Sequence, residues 1–145
     1  MIQIKKITTQ DTYDIRKEVL RKNIPLPCEF NGDFDKETFH LGAFQNEKLI
    51  AISSYMKANN TNFEGEQYQL RGMATLEEFQ GFGAGKLMLQ ESFSILKELK
   101  INCLWCNARI IAVDFYKKQG FVTFGESFMV NYIGEHYVMY KNFKE

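Results

Sequence analysis

The strongest restriction on the fold of this chain comes from a glycine-rich turn between a strand and a helix. Gly81, Gly83 and Gly85 occupy alternate positions in QGFGAGK, residues 80–86, after an apolar segment that ends at Thr75. Glycine lets the backbone turn sharply and approach a ligand closely. The free N–H groups at the start of the next helix carry about half a positive charge, which attracts phosphate. The turn therefore predicts a site for a phosphate or pyrophosphate group.

Two common phosphate-binding motifs do not fit this turn. The P-loop motif GxxxxGK[ST] needs glycine in place of Gln80 and serine or threonine in place of Leu87. The dinucleotide motif GxGxxG needs glycine in place of Lys86 and an acidic residue after the next strand, which ends in Cys106 and Asn107. Neither a nucleoside triphosphatase nor a nicotinamide-dependent enzyme is favoured.

The pattern of apolar residues predicts a fold of the α/β (α+β) class. Strands are expected where β-branched and aromatic residues cluster, at residues 2–7, 38–45, 48–56, 67–75, 101–107, 121–130 and 136–143. Helices are expected where apolar residues recur at helical spacing, at residues 11–21, 83–99 and 109–119. Hairpins that alternate with helical crossovers predict a mixed sheet with helices on its faces.

Three local features refine this outline. Asp11 and Thr12 are expected to cap the first helix. Gly72, inside the strand 67–75, predicts a β-bulge or a close approach of another backbone. Turn-forming residues in the segment 28–36 predict an irregular surface loop, and such loops often carry binding groups.

Composition excludes several classes of protein. The 145 residues include 18 basic and 18 acidic residues, so no excess positive charge points to nucleic acid. No apolar run approaches the roughly 20 residues of a membrane-spanning helix, and the N-terminus lacks the pattern of a signal peptide. We therefore expect one cytoplasmic domain over residues 1–145, without nucleic-acid or membrane partners.

The cysteines do not indicate a redox or metal site. Cys28, Cys103 and Cys106 are an odd and sparse set, so reduced thiols are expected. The last two form a CxxC pattern within a predicted strand, where residues three apart point to opposite faces. Zinc needs four ligands, and the chain has only two histidines, both distant in sequence. We expect these cysteines to pack in the sheet, and we expect no metal.

Gln80, Gly83 and Gly85 match the pattern [QR]xxGx[GA], and through it the sequence resembles the GNAT acyltransferase superfamily. LRGMATLEEFQGFGAGKLML is similar to the family's coenzyme A segment, and CNARIIAVDFYKKQGF is similar to the segment that follows it. The resemblance covers nearly the whole chain. It implies an N-acetyltransferase that moves an acetyl group from acetyl-coenzyme A directly to an amine. It also implies a mostly antiparallel, seven-stranded sheet with helices on both faces and a splay between the fourth and fifth strands.

The resemblance also implies which residues bind the coenzyme. Main-chain groups of Met73 and Thr75 would hold the pantetheine arm, and an N–H near Met73 would polarise the thioester carbonyl. Residues 81–86 would cradle the pyrophosphate, and Asn107 would add a side-chain contact. The full implied set is Met73, Ala74, Thr75, Gln80, Gly81, Phe82, Gly83, Ala84, Gly85, Lys86, Asn107 and Tyr116.

Tyr116 is the residue implied for acid chemistry. It shares a helical face with Ala112, four residues earlier, which leaves room for the coenzyme. A phenol with a pKa of about 10 stays protonated at neutral pH and can protonate a leaving thiolate, whose pKa is about 8.5. The alternative is an aromatic core residue like its neighbour Phe115.

The sequence leaves several candidates for the general base and for the acceptor. By chemistry alone the candidates for the base are Glu29, Asp33, His40, Glu77 and His136, and a water relay is also possible. The loop 28–36 and the turn before His136 are expected to border the acceptor cleft, which makes Glu29 and His136 the acceptor-site candidates. His136 can equally be a polar residue at a sheet end. The acceptor itself, a small-molecule amine, a peptide N-terminus or a lysine, cannot be read from the sequence.

Two other functions fit the same motifs. A coenzyme A-binding sensor or partner-binding module would bind the cofactor and release no thiol. A phosphate-ligand domain unrelated to thioesters would bind ATP as well as acetyl-coenzyme A. A homodimer is also possible, because an exposed C-terminal strand can pair between subunits.

Overall fold

The computed structural model of the protein describes residues 1–143. Within these residues a single sheet has the strand order β1-β2-β3-β4-β5-β7-β6. Neighbouring strands are antiparallel except β4 and β5, which are parallel. This arrangement confirms the predicted fold class. The strands β1 to β7 are Ile2–Ile7, Phe39–Gln45, Lys48–Lys57, Gln67–Thr75, Cys103–Arg109, Val122–Val130 and Gly134–Asn142.

The helices lie between these strands at the predicted places. They are α1 at Tyr13–Ile15, α2 at Ala84–Glu98 and α3 at Val113–Lys118. A 3-10 turn at Gln10–Thr12 precedes α1, and a π-helical turn at Arg16–Leu20 follows it, so the first helical segment covers residues 10–20. This segment closely matches the predicted helix at residues 11–21.

The cap of the first helical segment lies earlier than predicted. The Thr8 N–H donates to Asp11 Oδ2 at 3.0 Å, and the Asp11 N–H donates to Thr8 Oγ1 at 3.1 Å. This reciprocal pair is a capping box, so Asp11 contributes to the cap from inside the helix rather than starting it. Thr12 is buried, and its hydroxyl donates to the Thr9 carbonyl at 2.6 Å. Thr12 occupies the N-cap position of α1, but its side chain makes no capping hydrogen bond to the helix.

The third helix is shorter than predicted because β5 lies two residues later than predicted and ends at Arg109. Arg109, expected to begin the helix, is the last residue of β5 and pairs with His136 of β7. A 3-10 turn at Ile110–Ala112 then leads into α3. Pairing with a strand distant in sequence decides this boundary, and local helical spacing cannot anticipate it.

Helices cover both faces of the sheet. On β3, Ser53 Oγ donates to the sulfur of Met88 in α2 at 3.6 Å, whereas Arg16 Nη2 of the first helical segment donates to Ser54 Oγ at 2.9 Å. Adjacent residues of a strand point to opposite faces, so α2 and the first helical segment lie on opposite sides. We call these sides the α2 face and the α1 face; α3 packs in the same core as α2. The smaller core on the α1 face is formed by Ile15, Ile52, Ala74 and Leu76.

The strands β4 and β5 pair over only part of their length. Their parallel ladder runs from Gln67 opposite Cys103 to Leu70 opposite Cys106. Beyond that point β4 continues to Thr75 and β5 to Arg109 without pairing to each other. The splay predicted between the fourth and fifth strands is therefore present.

A bulge in β4 lies where the splay begins. Ser54 pairs with Arg71 and Ile52 with Ala74, so that Gly72 and Met73 lie opposite the single residue Ser53. Gly72 has φ +64°, in the left-handed region that glycine adopts without a steric penalty. The bulge predicted at Gly72 is confirmed.

The prediction of an exposed C-terminal strand is wrong. The last strand, β7, lies between β5 and β6 and is hydrogen-bonded on both sides. The free edges of the sheet are β1 and β6. Because the chain returns to insert its last strand beside β5, sequence order does not reveal the edge.

The three cysteines are free and buried, and Cys103 and Cys106 lie on β5, as predicted. Over residues 1–143, no helix combines the length and apolar character needed to cross a membrane.

Candidate active site

A cleft of about 860 Å³ occupies the gap between the diverging ends of β4 and β5. Residues from both faces of the sheet line it. Ala84 and Tyr116 belong to the core on the α2 face, whereas Phe30 stacks on Arg16, which belongs to the α1 face. The cleft therefore joins the two faces through the sheet.

The glycine turn forms one wall of this cleft. Gly81 and Gly83 have φ values of +88° and +93°, and a Cβ atom at either position would meet nothing within 4 Å. Within residues 1–143, the main-chain N–H groups of residues 81–86 have no hydrogen-bond acceptor, and α2 begins at Ala84. Open space beside unpaired N–H groups at the start of a 15-residue helix suits a pyrophosphate.

Gly85 differs from the other two glycines. A Cβ atom there would lie 3.1 Å from Phe115 Cζ and 3.5 Å from the sulfur of Met73. Close packing of α2 on α3 and β4 therefore leaves little room for a side chain at this position, which also lines the cleft.

The neighbours of these glycines play different parts. The side chain of Gln80 donates from Nε2 to the Thr75 carbonyl at 3.1 Å, which ties the turn back to the end of β4. Lys86 lines the cleft and is exposed to solvent. Phe82 is 69% exposed and does not line the cleft.

The diverging strand ends supply main-chain groups along the cleft. Met73, Ala74 and Thr75 line it from β4, and Asn107 lines it from β5. Ala74 points its side chain into the small core on the α1 face, whereas the Asn107 side chain is exposed. The predicted coenzyme residues apart from Phe82 thus lie along one continuous surface.

Tyr116 lies on α3 and lines the cleft from the α2 face. Its ring is 7% exposed and meets Phe115 and Phe121 edge-on, with centroids 5.1 and 5.3 Å away. Among the described residues, none makes a hydrogen bond with its hydroxyl. Burial, with smaller contributions from Cys106 and Tyr55, raises the pKa of Tyr116 well above 10. The phenol is therefore protonated throughout the physiological range.

Comparison with known proteins agrees with this geometry. The model of the Acetyltransferase (GNAT) family matches residues 3–121. The chain belongs to the GNAT acetyltransferase family. It is 36% identical to the uncharacterized N-acetyltransferase YitI of Bacillus subtilis strain 168, over 99% of this chain and 98% of that protein. The resemblance found in the sequence is confirmed, and the protein is an acyltransferase.

Solved structures support the same fold. The crystal structure of Escherichia coli ElaA superposes with a TM-score of 0.81 at 16% identity, covering 97% of this chain and 99% of that one. PaiA N-acetyltransferase from Thermoplasma acidophilum, solved in complex with coenzyme A, gives a TM-score of 0.69 at 17% identity and covers 99% of each chain. GNAT enzymes bind acetyl-coenzyme A, and the open glycine turn of this member fits the pyrophosphate of that group.

Of the five candidate bases in this GNAT acetyltransferase, His136 alone lines the cleft within the described residues. Its Nδ1 lies 2.8 Å from the carbonyl oxygen of Gly134, and its ring stacks on Phe128 with centroids 5.8 Å apart. Because a carbonyl only accepts hydrogen bonds, Nδ1 carries a proton, so in the neutral ring Nε2 is the nitrogen with the free lone pair. Glu29 and Glu77 are exposed and lie outside the cleft lining.

The other two candidates belong to a buried network that holds the first helical segment on the sheet. Arg16 donates to both carboxylate oxygens of Asp33, at 2.8 and 2.9 Å, and also to the Cys28 carbonyl. Burial opposes the charged form of Asp33, but hydrogen bonds from Arg16 and from the Phe30 N–H outweigh it and lower the pKa of Asp33. This carboxylate stays ionised and fully paired, so it is not free to accept a proton from a substrate.

His40 completes the same network. Its Nδ1 lies 2.7 Å from Ser54 Oγ, and its Nε2 lies 3.0 Å from Thr9 Oγ1 and 3.2 Å from the Asp33 carbonyl oxygen. Burial lowers the pKa of His40, which favours the neutral ring. Both ring nitrogens have partners in the core, so His40 supports the structure behind the cleft.

Sequence reasoning missed the arginines of the cleft. Arg21, Arg71 and Arg109 all line it, together with Phe30. They come from the end of the first helical segment, the middle of β4 and the end of β5, so no local motif connects them. The one available signal was their scarcity, because the chain has only four arginines among 18 basic residues.

Proposed function

We propose that the protein transfers an acetyl group from acetyl-coenzyme A directly to an amine, with Tyr116 as the general acid at the sulfur. The cleft between β4 and β5 carries this proposal, because it joins the glycine turn and Tyr116 on one face to His136 on the other. Such a passage allows donor and acceptor to meet from opposite sides of the sheet. Direct transfer needs both substrates in place at once.

The glycine turn supports the binding of the donor. Its unpaired N–H groups and the N-terminus of α2 offer hydrogen bonds and a partial positive charge to the pyrophosphate. Thr75 and its neighbours leave main-chain groups without a strand partner on the side of β5, and these suit the amide-rich pantetheine arm.

Tyr116 supports the departure of the thiolate. A thiol has a pKa of about 8.5, so complete proton transfer from a phenol of pKa above 10 costs at least about 2 kcal/mol. The larger contribution is therefore a hydrogen bond that strengthens as the carbon–sulfur bond breaks and negative charge builds on sulfur. No described residue is hydrogen-bonded to the Tyr116 hydroxyl, so the hydroxyl is available to donate to the sulfur.

His136 is the residue best suited to take the proton from the incoming amine. Its bond to the Gly134 carbonyl holds the ring in the tautomer that leaves Nε2 as an acceptor. Glu29 stays a prediction, but its exposed position outside the cleft lining gives it no comparable support.

The test uses acetyl-coenzyme A binding by calorimetry and thiol release with a panel of amines. Gly83→Val inserts a side chain over the N–H cradle, and loss of one or two charge-assisted hydrogen bonds weakens binding by about 10- to 100-fold. Gly125→Val is the matched control, because Gly125 also has positive φ and open surroundings but lies outside the cleft lining.

Equal affinity of the two variants would contradict the assignment of the turn. Binding of acetyl-coenzyme A without thiol release for any amine would instead favour the sensor or partner-binding module. Tight binding of ATP at the turn would favour the general phosphate-ligand domain.

A further inference from the structure

All four arginines of the chain gather beside one phenyl ring or line the cleft next to it. The guanidinium carbons of Arg16, Arg71 and Arg21 lie 3.9, 4.4 and 5.5 Å from the centroid of Phe30. Arg109 is the fourth; it lines the cleft with Arg21 and Arg71 and pairs across the strands with His136. The other 14 basic residues are lysines, so the concentration of guanidinium groups at this one place is specific.

The strand register puts this cluster on the α1 face. Arg71 pairs directly with Ser54, whose hydroxyl accepts from Arg16. On β5, Cys106 and Ala108 belong to the core on the α2 face, so Arg109 points to the α1 face. His136 is its direct cross-strand partner and shares that face. The arginines and the proposed base thus lie together, on the face opposite the start of α2.

The charges of this cluster are only partly balanced. Arg16 is neutralised by Asp33. Arg21 donates through Nε and Nη1 to the Pro27 and Leu20 carbonyls, which leaves Nη2 free of these bonds. Within residues 1–143, no hydrogen bond or ion pair joins the guanidinium group of Arg71 or of Arg109 to another group. No aspartate or glutamate of the described chain lines the cleft.

Such an arrangement is unfavourable until an anion binds. Burial and the nearby Arg16 lower the pKa of Arg71, and burial and Arg109 lower the pKa of Arg21. The surroundings therefore disfavour the positively charged forms of both side chains. Stacking on Phe30 stabilises Arg21 and Arg71, but it supplies no anion, and Arg109 beside them in the cleft also has no acidic partner among the described residues. Arginine presents paired donors that match carboxylate and phosphate geometry.

We propose that the acceptor is an amine that also carries a carboxylate or a phosphate, which the cluster of Arg21, Arg71 and Arg109 binds while the amino group faces His136. This inference rests on the proposed function and names its substrate class. Polyamines and lysine-rich peptides would be repelled by the same cluster. The coenzyme phosphates are not the natural partners, because the glycine turn that suits them opens α2 on the other face.

The experiment compares acceptors in matched pairs. Thiol release from acetyl-coenzyme A is measured with amino acids and their carboxamides, with aminoalkyl phosphates and the corresponding amino alcohols, and with spermidine. The expected result is that kcat/KM for the anionic member of the preferred pair exceeds that of its neutral partner by about tenfold or more. The two series distinguish a carboxylate from a phosphate.

Variants connect this preference to the cluster. Arg71→Gln is expected to raise KM for the anionic acceptor by about 10- to 100-fold and to affect the neutral partner far less, because it removes hydrogen bonds to the anion. Arg71→Lys keeps the charge but loses the paired donors, so an intermediate KM is expected. Lys5→Gln removes the same charge from the exposed surface of β1 and should leave both values unchanged. If Arg71→Gln does not fold, Arg109→Gln is measured in its place, with the same expected rise in KM for the anionic acceptor.

Binding measured without turnover separates this inference from the proposed function. Saturation-transfer NMR on the coenzyme-loaded protein should detect the anionic amines and lose them in Arg71→Gln, even if no thiol is released. Thiol release that is equal or faster with the neutral or cationic amines would overturn the inference and leave N-acetyl transfer intact. Binding of neither anionic series, or a loss of coenzyme affinity in Arg71→Gln equal to the loss for the acceptor, would also overturn it.

Discussion

Replacing Tyr116 by phenylalanine separates a catalytic hydroxyl from a structural one. The ring contacts with Phe115 and Phe121 are kept, and the hydroxyl has no partner in the described protein to leave unsatisfied. The free energy of unfolding should therefore change by less than about 0.5 kcal/mol. Turnover should fall by about 10²-fold or more, equivalent to about 2.7 kcal/mol of transition-state stabilisation. Coenzyme binding by calorimetry should persist.

Tyr55→Phe is the matched control. Tyr55 is fully buried in the same core, its pKa is raised by burial to about 12, and its hydroxyl lies 2.9 Å from Ser53 Oγ. It does not line the cleft. This variant should lose about 1–3 kcal/mol of stability in urea denaturation and keep its turnover. Tyr116→Phe is thus expected to lower the turnover and keep the stability, whereas Tyr55→Phe is expected to lower the stability and keep the turnover.

The raised pKa of Tyr116 also predicts how the turnover of the wild-type enzyme depends on pH. Because the pKa of Tyr116 lies well above 10, loss of its proton should not depress turnover below about pH 10. Turnover of Tyr116→Phe within about twofold of wild type, or an equal loss of turnover in Tyr55→Phe, would refute the assignment of Tyr116 as the acid.

Two further predictions concern the histidines. His136→Asn keeps a donor for the Gly134 carbonyl but lacks Nε2 and the ring that stacks on Phe128, so turnover should fall by about 10²-fold while coenzyme binding by calorimetry persists. Wild-type turnover would remove His136 from the mechanism. Burial lowers the pKa of His40 below its unfolded value of about 6.5, so the unfolded chain binds more protons than the folded one. The free energy of unfolding should therefore fall as the pH drops below about 6.5, by up to about 1.4 kcal/mol per pH unit. Urea denaturation between pH 5 and 7 should show this slope in the wild type and a flatter one in His40→Asn; equal slopes would contradict it.

The sequence was informative where local chemistry determines structure. Three glycines before an amphipathic helix indicated both the turn and the start of α2, and Gly72 indicated the bulge in β4. These features depend on backbone freedom at single residues, which the positions of the glycines in the sequence reveal. The strand pattern gave the fold class for the same reason, since period-two alternation is local.

Long-range pairing accounts for what the sequence did not reveal. The extension of β5 to Arg109 depends on β7, and the insertion of β7 beside β5 hides the strand that was expected at the edge. Asp33 and His40 looked like possible bases because their chemistry allows it, yet burial and the partner Arg16 commit them to the core. The arginine cluster also joins segments far apart in the chain, so a neutral net charge concealed a local excess.

The tight contact at Gly85 has a mechanical consequence. Phe115, one residue before Tyr116, rests against the first turn of α2, and Met73 of β4 touches the same spot. If the glycine turn binds the pyrophosphate as proposed, a shift of the turn would press on Phe115, next to Tyr116, and on Met73 of β4. Binding of the nucleotide end of the donor would then also fix the position of the Tyr116 hydroxyl relative to the sulfur end.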